Sequence, residues 1–464
     1  MIFIIEMGKF MVMFENFIVF LNDILWGPPM IVLLTGTHLW ITWKTGFMQK
    51  YIFKGIKLSV TKDPDAEGEI SSFAALTTAL ASTIGTGNII GVATAIVSGG
   101  PGAVFWTWIV GIFGIATKYA ESLIAIKYRK KMNDGSYIGG AMTALEHLNL
   151  KPLGVAFAVL AGLCSFGIGC GVQSNAIADV LLTNYKVPVI VTGVLTSALT
   201  ALVVLGGVKS ISKVCEKLVP LMSFLYIIGC GYILFYNRSV LGQSIVLIVT
   251  SAFTPRAALG GFVGSTIMVA ARYGIARGLF SNESGLGSAP IVAAASQSRN
   301  SVRTALISAT GVFWDTVVVC LVTGLVLVSS IIANDAISSV GLEGGQLASL
   351  AFAQIPYIGT PLLVFGVLTF AFSTILGWNY YGERCLVYLF GNKAKVPYRV
   401  LWIVVAFLGT VLNLSLVWKI ADAMNALMAI PNLIAILLLS KLIVKETRYY
   451  LDGNRLDERD PELE

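Results

Sequence analysis

Two long apolar stretches of this chain carry polar, glycine-bearing interruptions where an unbroken helix would be expected. One reads Leu80-Ala-Ser-Thr-Ile-Gly-Thr-Gly-Asn-Ile-Ile-Gly91, the other Gly278-Leu-Phe-Ser-Asn-Glu-Ser-Gly-Leu-Gly-Ser-Ala-Pro290. A broken helix exposes the N–H groups that open its second half and the C=O groups that close its first half. Here these are the amides of Gly87, Asn88 and Ile89, and the carbonyls near Ala81, Ser82, Phe280 and Ser281. Helix N-termini attract carboxylates, whereas C-terminal carbonyls attract ammonium or metal cations. Each such end is worth only about 0.3–2 kcal/mol, so several must converge to offset desolvation of a ligand. Glycine leaves room for that ligand to approach the backbone. The chemistry on offer is recognition of a small zwitterion and a cation.

The elements that must position these breaks follow from composition. The chain has 464 residues, of which 56% are hydrophobic and only 12% charged. Soluble domains carry about 25% charged residues, and the mean hydropathy here is +0.81. This excludes an ordinary soluble enzyme, a disordered chain and a nucleic-acid binder; it describes an integral membrane protein. The apolar runs are continuous rather than alternating, so the spans are helices and not barrel strands. Eleven are expected, near 13–42, 71–97, 102–126, 152–182, 187–207, 214–236, 262–298, 303–332, 358–391, 397–417 and 420–444. The first is interrupted by Glu15, Asp23 and Gly27-Pro28-Pro29, which predicts a bend. Further short helices are expected in the connections 238–261 and 333–355, and a solvated polar tail after Lys445.

Charge orients the bundle. With the N-terminus outside, most of the 32 Lys and Arg fall in inward connections, among them Lys44, Lys62, Lys127, Arg303 and Lys395. Outward connections hold only Lys9, Lys186, Arg238, Arg256 and Lys419. That bias is the positive-inside rule; it predicts a multi-pass plasma-membrane protein with a cytoplasmic C-terminus. The net charge of +7 is explained by anionic membrane lipid, with no nucleic acid. Residues 1–70 then form an extra N-terminal helix and linker, 71–236 and 262–444 two blocks of five helices, and 445–464 a cytoplasmic tail. Each interruption lies in the first helix of its block. An odd number of spans per block inverts the second copy, which is the architecture of many secondary transporters, with the binding site at the broken helices.

At these residues a family resemblance emerges. Gly99-Gly-Pro-Gly-Ala-Val-Phe-Trp-Thr-Trp-Ile-Val-Gly-Ile-Phe-Gly114 resembles the signature of the alanine or glycine:cation symporter family, with Thr107 where a methionine is usual. The stretch from Ala270 to Pro290 is similar to that family's second broken helix, and Leu25-Trp-Gly-Pro-Pro29 belongs to the same likeness. The resemblance implies a leucine-transporter-type 5+5 inverted repeat that couples uptake of alanine and glycine to sodium. It needs no cofactor beyond that coupling ion. It implies that Ser82, Thr83, Gly85, Thr86, Gly87 and Asn88 at the first break, and Phe280, Ser281, Asn282, Glu283 and Gly287 at the second, face the substrate. It also implies that the hydroxyls of Ser373 and Thr374, with the carbonyls of Ala81 and Ile84, bind sodium.

The remaining polar residues carry two readings each. Glu283 either contacts the substrate ammonium or sodium, or pairs with Arg272 or Arg277. Gln173 either reaches the substrate or bonds between helices; Phe166 and Trp378 either cap the pocket or pack in the core. Asp315 and Asn379 read as helix-to-helix bonds, and six cysteines in apolar runs as reduced packing residues. The sequon Asn237-Arg-Ser239 stands in an outward connection. The functional alternative is a proton-coupled transporter of the same fold carrying another small solute. With two histidines, no zinc motif and no Ser/His pairing, an enzyme is not expected.

Overall fold

A computed structural model describes residues 2–61, 66–255, 261–262, 264–334, 336–412 and 415–461. Lys62 and Arg256, which entered the charge count, lie outside these. Among the described residues, eight helices are long and apolar enough to cross a membrane: Met13–Lys44, Gly102–Lys127, Lys151–Tyr185, Gly207–Tyr236, Ser301–Ala333, Gly359–Phe390, Asn392–Val411 and Leu416–Leu438. A ninth span is the pair Ser72–Thr83 and Gly87–Gly99, bent by 51° at the first interruption. The other two expected segments are shorter helices, Val189–Val204 and the second broken helix, Ile267–Asn282 followed by Pro290–Ala293. The bend in the first segment falls at Gly27, whose extended backbone (φ −78°, ψ −173°) hands over to a helix starting at Pro28. Proline suits that first position because no hydrogen bond is asked of its nitrogen. The expected connecting helices form at Arg238–Phe253 and Gly344–Phe352.

Helix 102–127 is the centre of the molecule, and 83% of its apolar window is buried inside the protein. Small residues explain how it is surrounded so closely. A Cβ on Gly274 would lie 2.3 Å from the Ala103 carbonyl, and one on Gly278 2.5 Å from Val110 Cγ1. A Cβ on Gly102 would meet the Ser251 carbonyl at 2.4 Å. With no hydrophobic driving force between helices in lipid, close van der Waals contact through small residues holds them together. Thr107 adds a hydroxyl bond to the Gly274 carbonyl, 2.9 Å, so the signature segment is the surface on which the second broken helix lies. All six cysteines are free and buried.

The end of the bundle that carries the basic connections is tied shut. The segment before the first broken helix pairs with the segment after the second: Gln297 N donates to the Ile70 carbonyl at 2.8 Å and Ser298 N to the Glu67 carbonyl at 3.1 Å. Arg384 pairs with Glu69 at 3.1 Å, and Arg129 donates to the Ser296 carbonyl at 2.9 Å. Among the described residues, cavities lie at the opposite end. One of about 420 Å³ reaches Ile89 and Ile90 of the first broken helix. Another of about 290 Å³ lies between Trp26, Arg272, Asp422 and Phe280 of the second.

The expected solvated tail keeps most of its charged side chains exposed but is anchored at the buried Leu456 and Asp460. Asp460 pairs with Lys127 at 2.8 Å, Asp457 with Arg303 at 2.6 Å, and Asn300 donates to the Leu456 and Glu458 carbonyls, each at 2.9 Å. Its charged sequence hid this, because the partners lie on connections far away in the chain. Deleting residues 453–464 is expected to lower the melting temperature by about 3–8 °C, measured by thermal denaturation in detergent, with sodium-dependent ligand binding at room temperature unchanged. Asn237 of the sequon is buried at 2% exposure, with its amide 3.4 Å from Ser329 Oγ.

Candidate functional site

The first break unwinds at Ile84 (φ −73°, ψ 90°). Asn88 folds back over it: its Oδ1 accepts from Gly85 N at 2.9 Å, and its own N–H donates to the Gly85 carbonyl at 3.2 Å. Of the three amides expected to face a ligand, that of Asn88 is therefore engaged within the break. Past it, Gly87–Gly91 continues as a widened, π-type turn, a feature common at functional sites. The second break unwinds through three left-handed residues, Glu283 (φ 55°), Gly285 (φ 86°) and Gly287 (φ 82°). Glycine takes that conformation at little cost, but a glutamate there is strained.

The two breaks touch. A Cβ on Gly87 would meet the Phe280 ring at 3.4 Å and Ser281 Cα at 3.6 Å. The residue that joins them is Asp315, fully buried. Its Oδ1 accepts from Asn88 Nδ2 at 2.7 Å, and its Oδ2 from Ser281 Oγ at 2.9 Å and Thr316 Oγ1 at 2.6 Å. Cys320 Sγ lies 3.3 Å from both Asn88 Nδ2 and Ser281 Oγ. Asp315 stands in another π-type turn, Phe313–Cys320. Sequence reasoning read Asp315 as a helix-to-helix bond; it is one, and the helices it joins are the two broken ones. An acid in the middle of an apolar run was the available signal.

Gln173 reaches the first break, with its Oε1 accepting from Thr86 Oγ1 at 3.2 Å. Ser373 Oγ lies 3.2 Å from the Ala81 carbonyl and 2.9 Å from that of Phe370. Thr374 Oγ1 donates to the Phe370 carbonyl at 3.0 Å and sits so close to Gly85 that a Cβ there would lie 2.5 Å from it. The two hydroxyls thus lie against the end of the first half-helix, at Ala81, and the unwound backbone at Gly85, and the local set is made of oxygens, suited to a hard cation. Among the described residues no cluster of three or more His, Cys, Asp or Glu side chains suits a metal.

Other candidates sit elsewhere. Ser82 Oγ bonds to Tyr381 OH at 2.6 Å, and Thr83 to the Ala79 carbonyl one turn earlier at 3.2 Å. Asn282 Oδ1 caps Ser284 N at 2.9 Å. Glu283 pairs with neither arginine: Ser288 Oγ donates to its carboxylate at 2.5 Å, while Arg272 goes to Asp23 at 3.1 Å. Gly287 packs on Asn432 and Phe157, each 2.8 Å from a Cβ placed there. Phe166 joins Tyr398 and Trp402 with ring centroids 5.1 and 5.5 Å away. Trp378 is buried against Gly169 and Tyr381. The Asn379 amide finds no hydrogen-bond partner among the described residues.

The two interrupted helices are thus in contact within an apolar bundle. The model of the sodium:alanine symporter family matches residues 11–464. This chain belongs to that family. It is therefore a multi-pass membrane transporter, a symporter and not an enzyme. AgcS, a sodium/alanine symporter of Methanococcus maripaludis, is 46% identical over 92% of this chain and 95% of its own. GlnT of Bacillus subtilis, a probable sodium/glutamine symporter, is 36% identical over 94% of this chain and 90% of its own. The crystal structure of MhsT in complex with L-phenylalanine superposes with a TM-score of 0.53 at 17% identity, over 82% of this chain and 96% of that one. The fold is of the leucine-transporter type.

Proposed function

We propose that this symporter carries alanine, and glycine with it, into the cell with sodium. The observation that carries the reading is the contact between the two breaks, with Ser373 and Thr374 against the first. The substrate carboxylate meets the amides around Gly87; its ammonium meets the carbonyls that end the first half of the second broken helix, at Phe280 and Ser281. Charge-assisted hydrogen bonds of this kind are worth about 1.5–3 kcal/mol each. Sodium sits between Ser373, Thr374 and the carbonyls of Ala81 and Ile84. The same few residues then hold ion and carboxylate on opposite sides of one unwound segment. Ordering by either ligand favours the other, and this coupling is reciprocal.

The bundle is read as a plasma-membrane protein surrounded by lipid, with its basic connections, and hence its C-terminus, in the cytoplasm. On that orientation the tied end is cytoplasmic and the two cavities open outward, one half of an alternating-access cycle between two inverted five-helix blocks, 71–236 and 262–444. Glycine fits because the contacts made are to ammonium and carboxylate alone.

The test is uptake of labelled alanine into proteoliposomes with sodium, potassium or proton gradients imposed separately. Uptake is expected only with inward sodium, and unlabelled glycine should compete. Equal uptake in potassium, or uptake driven by protons alone, would transfer the reading to a proton-coupled carrier.

A further inference from the structure

We propose that Lys118, Glu121 and Asn432 are positioning residues for transport: they clamp the unwound backbone of the second break to the scaffold helix 102–127 and so aim the carbonyls of Phe280 and Ser281 at the substrate. The inference rests on reading the breaks as the substrate site. Lys118 and Glu121 stand one turn apart on that helix, 2% and 1% exposed, and pair at 3.0 Å. Charges at this depth of a membrane protein are costly and functional by default. A pair kept only for packing could be exchanged for apolar side chains with little loss. Each member of this one, however, makes a second bond into the break.

Lys118 Nζ donates to the Glu283 carbonyl at 3.1 Å. Glu121 Oε2 accepts from Gly285 N at 3.1 Å and from Asn432 Nδ2 at 2.8 Å. The same Asn432 Nδ2 donates to the Gly285 carbonyl at 2.9 Å. Both backbone groups of Gly285 are thus satisfied by side chains of two other helices, as unwound backbone at this depth requires, and the Glu283 carbonyl, which also accepts from Leu286 N at 3.2 Å, gains a second bond. Asn432 follows Pro431 inside helix Ser415–Leu438. On the other side of the break, helix Ile267–Asn282 already lies on helix 102–127 through Gly274 and Gly278. The clamp fixes the break itself to that same helix. The first half of the second broken helix and the break that follows it are therefore held to one body, and the direction of the carbonyls that end that half is set from outside. No such bond reaches the Ser373 and Thr374 hydroxyls, whose partners are Ala81 and Phe370.

The test uses the purified full-length protein in detergent, with alanine affinity measured by calorimetry at saturating sodium and sodium binding measured without alanine. Lys118→Met is expected to weaken alanine binding at least about tenfold and Lys118→Arg to restore it to within about threefold, with half-saturating sodium unchanged in both. Asn432→Leu leaves the Lys118–Glu121 pair intact, so it keeps the test open should Lys118→Met fail to fold; it is expected to weaken alanine about fivefold. Unchanged alanine affinity in monodisperse Asn432→Leu, or equal loss of alanine and sodium binding, would overturn the clamp. An unmodified protein that ignores alanine in sodium overturns the substrate reading instead.

Discussion

On the proposed substrate site, Gly87→Leu is expected to fold, run as a monodisperse species and bind alanine at least about a hundredfold more weakly than the unmodified protein. The space beside Gly87 is the space between the breaks. A Cβ there already touches the Phe280 ring at 3.4 Å and Ser281 Cα at 3.6 Å. A methyl fits at ordinary contact distance, but on the proposed site the branched remainder of a leucine competes with the substrate carboxylate for the space between the breaks. Two charge-assisted bonds lost at about 1.5–3 kcal/mol each amount to at least about tenfold per bond. Gly87→Ala should therefore retain most of the affinity that Gly87→Leu loses. Calorimetric titration with alanine in saturating sodium, after size-exclusion chromatography, makes the measurement. Unaltered affinity in Gly87→Leu would place the substrate elsewhere.

On the proposed sodium site, replacing both Ser373 and Thr374 with alanine is expected to raise the half-saturating sodium concentration at least about tenfold, because loss of two ligands together exceeds ~1.4 kcal/mol. Alanine affinity at saturating sodium moves far less. The competing role for these hydroxyls is visible in the structure, since both lie at bonding distance from the Phe370 carbonyl at 2.9 and 3.0 Å. Bonding back by one turn is a common habit of Ser and Thr in membrane helices. It does not account for the 3.2 Å approach of Ser373 to Ala81, nor for the press of Thr374 against Gly85. If sodium dependence of uptake is unchanged in the double variant, the ion lies elsewhere, and Asp315 becomes the next residue to replace.

The local features of this protein were legible in its sequence. A run of about 20 apolar residues can do little in water but cross a membrane, and glycines beside Ser, Thr, Asn and Glu inside such a run mark backbone that must unwind. The helical membrane class, the breaks and the family therefore followed from stretches of a few dozen residues each. Partners of buried polar groups did not, because helices far apart in the chain supply them. Asp315 could be flagged as an acid in an apolar run, yet only the packing shows that it joins Asn88 to Ser281. Lys118 and Glu121 are visibly one turn apart, but nothing local says that Gly285 and Asn432 complete their bonds. Glu283 stood near two arginines in sequence and faces neither in space, because the left-handed turn at its own backbone directs it toward Ser288. The charged tail, polar enough to read as solvated, is held by Lys127, Asn300 and Arg303 from distant connections. Composition and pattern set what each segment must be; which side chain satisfies which buried group was decided by how the helices pack.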